Sequence, residues 1–151
     1  MLVQTASAAC YTPSQFRAEQ AMRYHTRLMV VWVCCARALT NKMPMQTTRA
    51  FTKRNQNIMR EQENILIAYF KQIKKPNARA RAAQLPYRSG QQNLDSGQHV
   101  CRAFVPNMRR IMASAKTMQP AQFKAWIVAL DAQKPQETST PVCATQKNVK
   151  K

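Results

Sequence analysis

An all-α bundle of three long helices plus one or two short ones is the fold this sequence predicts. Three observations carry that expectation. The chain holds only two glycines, Gly90 and Gly97, too few for the many tight turns of sandwiches and barrels. Gln, Ala, Met, Lys and Arg are abundant, and all are helix formers. Apolar residues recur at steps of three and four over long stretches, which is the period of a helix face. With 151 residues, 45% of them hydrophobic, the chain can bury a real core in one domain and is not a disordered coil.

The first ten residues read MLVQTASAAC. Ala6-Ser7-Ala8 matches the A-x-A pattern cut by signal peptidase, but only Leu2 and Val3 stand where a full signal peptide carries about 7–15 apolar residues. Residues 1–9 are read either as the remnant of a longer signal peptide or as a chance match to its cleavage pattern. A lipoprotein box at Cys10 fits less well, since Ser7 stands where Leu is wanted. Residues 10–143 form the single helical domain, and 144–151 a basic tail.

The first helix opens at YTPSQ. Thr12 can cap, Pro13 suits the first helical position, and Gln15 completes a T-x-x-Q capping box. Ala21, Tyr24, Leu28, Val31, Cys35 and Ala38 then repeat as one stripe, ending near Leu39. Residues Asn41 to Thr48, with Pro44, form a connection. A second helix is expected from about Thr48 to Lys74, with Phe51, Ile58, Ile65, Tyr69 and Ile73 on one face, and Pro76 stops it. Asn77 to Gln84 suits a short Ala/Arg helix, and Leu85 to Gly97 a loop. A third long helix covers Gln98 to Thr117 with Val100, Phe104, Met108, Ile111 and Ala115 inward, kinked at Pro106. Pro120 opens a last short helix with Phe123, Ile127 and Leu130 inward. Residues 133–151 are polar and Pro-rich apart from Val142-Cys143. The longest apolar run, LMVVWVCCA at 28–36, is about half of what a bilayer-spanning helix needs, so no transmembrane segment is expected.

Charge is the strongest pointer to partners. Against 24 Lys and Arg stand 6 Asp and Glu, a formal +18. Such a field attracts nucleic acid, anionic lipid, acidic glycans or an acidic protein, and does not choose among them. Two acid-free segments concentrate it. One carries Lys71, Lys74, Lys75, Arg79, Arg81 and Arg88; the other carries Arg102, Arg109 and Arg110, followed by Lys116 and Lys124. Both could track phosphates with strong salt dependence. Aromatic residues are sparse and most fall on core stripes, and there is no recognition-helix signature or zinc finger, so nucleic-acid binding would lack sequence preference.

The five cysteines are Cys10, Cys34, Cys35, Cys101 and Cys143. On an ideal helix Cys35 points inward with Leu28 and Val31, while Cys34 lies about 100° round, over Arg23 and Arg27. Cys101 can face inward beside Val100 and Phe104, making Cys35 and Cys101 plausible partners where two helices cross. Cys10 and Cys143 flank the helical region, and an antiparallel bundle brings its ends together. Cytosolic packed thiols are the alternative. No C-x-x-C occurs, and His25 and His99 are too badly spaced for a structural zinc site, so no metal and no cofactor are expected.

There is no Gly-rich phosphate loop, G-x-S-x-G or H-E-x-x-H, and Glu61 and Glu63 face different directions on a helix, so no enzyme is expected. His25 reads as a boundary histidine. A remote alternative is a thiol enzyme centred on Cys34, its pKa lowered by Arg23 and Arg27.

The segments ACYTPSQFRAEQAMRYHTRLMVVWVC, FTKRNQNIMREQENILIAYFKQ, VCRAFVPNMRRIM and STPVC together resemble a family of small exported helical proteins of alphaproteobacteria. The similarity spans roughly residues 9 to 143. It implies a secreted bundle of unestablished activity with a cysteine near each end and one on each of two helices, which correspond to Cys10, Cys143, Cys35 and Cys101. Three departures stand out: the short signal segment, the extra Cys34 and the eroded region 76–97. Together these expectations describe a periplasmic or secreted, non-enzymatic binding or structural protein. Its basic surface would suit an anionic envelope component or an acidic protein partner. The runner-up is a cytoplasmic protein binding nucleic acid without sequence preference.

Overall fold

The computed structural model describes residues 10–35, 43–73, 77–82, 98–132 and 138–143, without the side chains of 34, 43 and 98–106. Its elements are α1 (Pro13–Cys35), α2 (Met43–Gln72), a short α3 (residues 78–82), α4 (Gln98–Thr117) and α5 (Pro120–Ala129). The expected all-α bundle with three long helices is what the chain forms, and the described residues contain no strand. One isolated parallel bridge joins Tyr11 to Val142.

The start of α1 follows its capping box. Gln15 N donates to Thr12 Oγ1 at 3.3 Å and Thr12 N donates to Gln15 Oε1 at 2.9 Å, satisfying two backbone donors at the helix entrance. The connection expected over 41–48 is shorter than read, because α2 already begins at Met43. Pro44 sits in its first turn, where a missing N–H breaks no helical bond, and it is fully buried. The proline marks a helix start and not a linker. Asn77 turns left-handed at φ 55°, a conformation asparagine tolerates, and its carbonyl accepts from Arg81 N as α3 begins. α4 runs unbroken through Pro106. At the head of α5, Pro120 holds the first position and the Gln122 side chain accepts from Gln119 N at 2.8 Å.

α1 and α2 run antiparallel. Thr48 Oγ1 donates to Leu28 O, and His25 Nε2 meets Thr52 Oγ1. α2 also meets the end of α4. Arg54 Nη2 donates to Ala115 O at 2.9 Å and Lys116 O at 3.1 Å, while Ile58 and Met59 share a core cluster with Met108 and Met112. Arg54 thereby places a cation on the open carbonyls at the C-terminal end of α4, where the helix dipole favours it.

Two clusters fill the interior. The larger joins Leu28 and Val31 of α1, Phe51 and Ile58 of α2, Met112 and Ala115 of α4, and Phe123 and Ile127 of α5. Tyr24 stands at its centre, within 6.0 Å ring-to-ring of Phe51, Phe123 and Trp126. The second cluster gathers Tyr11, Phe16, Leu66, Tyr69, Phe70 and Ala82 at the other end, with Val142 and Leu130 packed against it. Met22 touches both clusters and joins them. Expected core positions Ala21, Tyr24, Leu28, Val31, Cys35, Phe51, Ile58, Tyr69, Met108, Ala115, Phe123 and Ile127 are buried. Ile65, Ile73, Ile111 and Leu130 are only partly so. Ala38 and the side chains of Val100 and Phe104 lie outside the described residues.

Candidate functional site

The ends of the helical region meet in a clasp. Cys10 and Cys143 form a disulfide with Cα atoms 4.9 Å apart, closing a separation of 133 residues. Around it Tyr11 N donates to Pro141 O at 2.7 Å and Cys143 N to Tyr11 O at 2.9 Å, so residues 141–143 lie beside residue 11 as a short extended pair. Although the sequence after residue 133 is polar, the segment 138–143 is thus held on the bundle.

Glu19 supplies the rest of the clasp. Its carboxylate is 0% exposed and accepts from Arg23 Nε at 2.7 Å, Ser139 N at 2.8 Å and Ser139 Oγ at 2.6 Å. A carboxylate only accepts, so the Ser139 hydroxyl must spend its proton on Glu19. That leaves Ser139 Oγ as acceptor for the Tyr11 hydroxyl, 3.1 Å away. Burial, reinforced by the charge of Glu19 beside it, pushes the Tyr11 phenol far above its ordinary value, which keeps it a donor. The relay therefore runs Tyr11 to Ser139 to Glu19. Every member of this network is satisfied by another, which ties residues 138–143 to α1.

Arg23 corrects an expectation. The sequence places it beneath Cys34 as a cation acting on that thiol, but it is 5% exposed and paired with Glu19 one turn away. Its charge serves the clasp, which removes one of the two cations invoked to activate Cys34. The side chain of Cys34 lies outside the described residues.

Cys35 is buried and is itself disulfide-bonded. The expected pairing with Cys101 involves a side chain outside the described residues. His25 is partly buried, with Nε2 2.8 Å from Thr52 Oγ1. The Thr52 hydroxyl donates to Thr48 O at 2.8 Å, so Nε2 carries the proton and donates to Thr52. Burial holds the His25 pKa below its ordinary value. No three His, Cys, Asp or Glu side chains converge as a metal site among the described residues.

The cations expected to bind anions do not form one pocket. Lys71 stands exposed near the end of α2, with Arg79 and Arg81 exposed on α3 nearby in the chain. Arg109 and Arg110 are exposed midway along α4, followed by Lys116 and Lys124. Because Arg54 marks the level of Ala115, Lys71 lies roughly 25 Å further along α2, whereas Arg109 and Arg110 lie only about 8 Å back along α4. The two groups occupy different levels of the bundle. Lys74, Lys75, Arg88 and the side chain of Arg102 lie outside the described residues. The exposed bases Lys53, Arg60, Arg27 and Arg49 add to the same surface, although none belonged to the two segments singled out. The only sequence signal for them was the absence of acids from 20 to 60.

Comparison with protein-family models, with curated proteins and with solved structures found no match to this chain.

Proposed function

We propose that this protein is an exported, non-enzymatic member of the family of small helical alphaproteobacterial proteins it resembles. In this reading it binds an anionic component of the cell envelope, or an acidic protein partner, through a broad cationic surface. The observation that carries the binding role is the placement of charge. Lys53, Arg60, Lys71, Arg79, Arg109, Arg110, Lys116 and Lys124 all stand exposed on helices, spread over the bundle. A rigid scaffold displaying dispersed bases suits a polyanion or charged surface better than a small anion, which needs converging donors. The Cys10–Cys143 disulfide supports the oxidising compartment, because disulfides persist in exported proteins and are rare in the cytosol.

Binding to immobilised heparin, to duplex DNA and to anionic vesicles, measured across salt, tests the reading. All three should bind, and affinity should fall steeply between about 50 and 200 mM salt where several anionic groups are contacted. Binding to one anion class that survives high salt would replace the broad surface with a shaped site. Absence of binding to any of them at low salt would remove the reading.

A further inference from the structure

The end of the bundle where α1 finishes and α2 begins carries side chains the core does not use. Met29, Trp32 and Val33 occupy positions i, i+3 and i+4 of α1, which share one strip of helix surface. Met29 is 40% exposed and Val33 69%, with Trp32 partly buried between them. The Thr48–Leu28 and Thr52–His25 hydrogen bonds set the start of α2 level with this strip. There the Arg49 guanidinium lies over the Trp32 ring, 5.5 Å from its centroid. Lys53, one turn after Arg49 on α2, is exposed as well. Between Glu19 and Glu61 the chain contains eight bases and no acid.

We propose that this end of the α1–α2 hairpin docks on an anionic lipid bilayer. Met29, Trp32 and Val33 enter the headgroup boundary, while Arg49 and Lys53 meet lipid phosphates. This rests on the anionic-surface reading above and names both the surface and the face that meets it. The chemistry required is a mixture: apolar side chains that gain from leaving water, an indole suited to the interface, and cations at the rim. A nucleic acid offers phosphate but nothing for an aliphatic side chain such as Val33, and Arg49 already covers one face of Trp32 on which a base would stack. A second copy is disfavoured by charge. A two-fold contact through this strip would bring Arg49 and Lys53 against their own copies in a chain of +18. The docking is peripheral, since no helix among the described residues is long and apolar enough to cross a membrane.

The test uses the oxidised full chain with vesicles of phosphatidylcholine alone, or mixed equally with phosphatidylglycerol, near physiological ionic strength. Val33→Glu and Val33→Ser are the variants, because a side chain so exposed can change without disturbing the core; circular dichroism verifies the fold. Wild type should partition onto mixed vesicles and little onto pure phosphatidylcholine. Val33→Ser should weaken partitioning about threefold and Val33→Glu about tenfold or more, with heparin affinity nearly unchanged for Val33→Ser. In a Trp126→Phe background, Trp32 emission should shift to the blue on mixed vesicles. Wild-type partitioning by Val33→Glu, or vesicle binding with no shift of Trp32 emission, overturns the docking face while leaving the anionic-surface reading in place. A concentration-dependent dimer abolished by Val33→Glu overturns it in favour of a second copy. Failure to bind vesicles and heparin alike removes both readings.

Discussion

Glu19 survives full burial because three donors reach it, and two of them come from a residue 120 positions away. Its removal should hurt more than the loss of any one of those bonds. Glu19→Ala leaves the buried Arg23 guanidinium without its counter-charge, and we expect a cost of about 3–5 kcal/mol. Ser139→Ala takes the Ser139 hydroxyl away from both Tyr11 and Glu19 and should cost about 2 kcal/mol. Urea midpoints of the two variants check the order, and equal effects would contradict the relay. His25 gives a pH dependence. Its folded-state pKa lies below that of the unfolded chain, ordinarily about 6.5. Above that value both states are neutral and stability is unaffected. As pH falls below it, the unfolded chain takes a proton that the folded one refuses, so stability drops until the folded His25 titrates as well. The melting temperature should therefore decline from pH 7 towards pH 5. His25→Gln, which keeps a donor for Thr52, should flatten part of that decline. Little of this residue-scale chemistry was legible beforehand. Glu19 and Arg23 form a visible i, i+4 pair, but nothing local in the sequence says that Ser139 closes over them.

The elements were easier to read than their faces. Thr12-Pro13 and Gln15 announce the start of α1, and the helix obeys because the capping bonds are made within three residues. Stripes such as Leu28–Val31–Cys35 fall inward as their spacing requires. What a single stripe misses is the width of a bundle-facing surface. Met59, Leu66, Phe70 and Met112 are buried beside the expected positions, and Asn55 is buried among them. The reverse error occurs in LMVVWVCCA. A helix apolar all round buries only the side that meets its neighbours, so Leu28 and Val31 go in while Val33 stays out. Basic residues were likewise visible only as charge. Arg54 sat in the sequence as one base among many, yet it caps α4. Arg54→Ala should raise amide hydrogen exchange in the last turn of α4 while leaving α5 unchanged, and equal protection in variant and wild type would argue against the cap.

At the scale of the molecule, the disulfides set how stability responds to redox conditions. The loop closed by Cys10–Cys143 spans 133 residues, for which the chain-entropy account gives about 5 kcal/mol. That is a large share of what a domain of this size possesses. Full reduction should lower the melting temperature by well over 5 °C. Non-reducing peptide mapping should recover Cys10 joined to Cys143, and Cys35 joined to Cys101, the pairing expected from the sequence. Cys101→Ser should then lose the Cys35 part of the reductant effect, costing about 2–5 kcal/mol, against about 1–2 kcal/mol for a polar swap at a thiol never bridged. A wild-type melting temperature unmoved by verified reduction would refute the stapled bundle. This closure also has a mechanical side. Tension applied between the chain before Cys10 and the chain after Cys143 passes through a single sulfur–sulfur bond and never loads the helices between them. About 450 Å of extensible length is thereby hidden from any pull on the two tails. Anchored by its ends, the domain is a rigid link while oxidised, and becomes a long compliant tether only once the thiols are free.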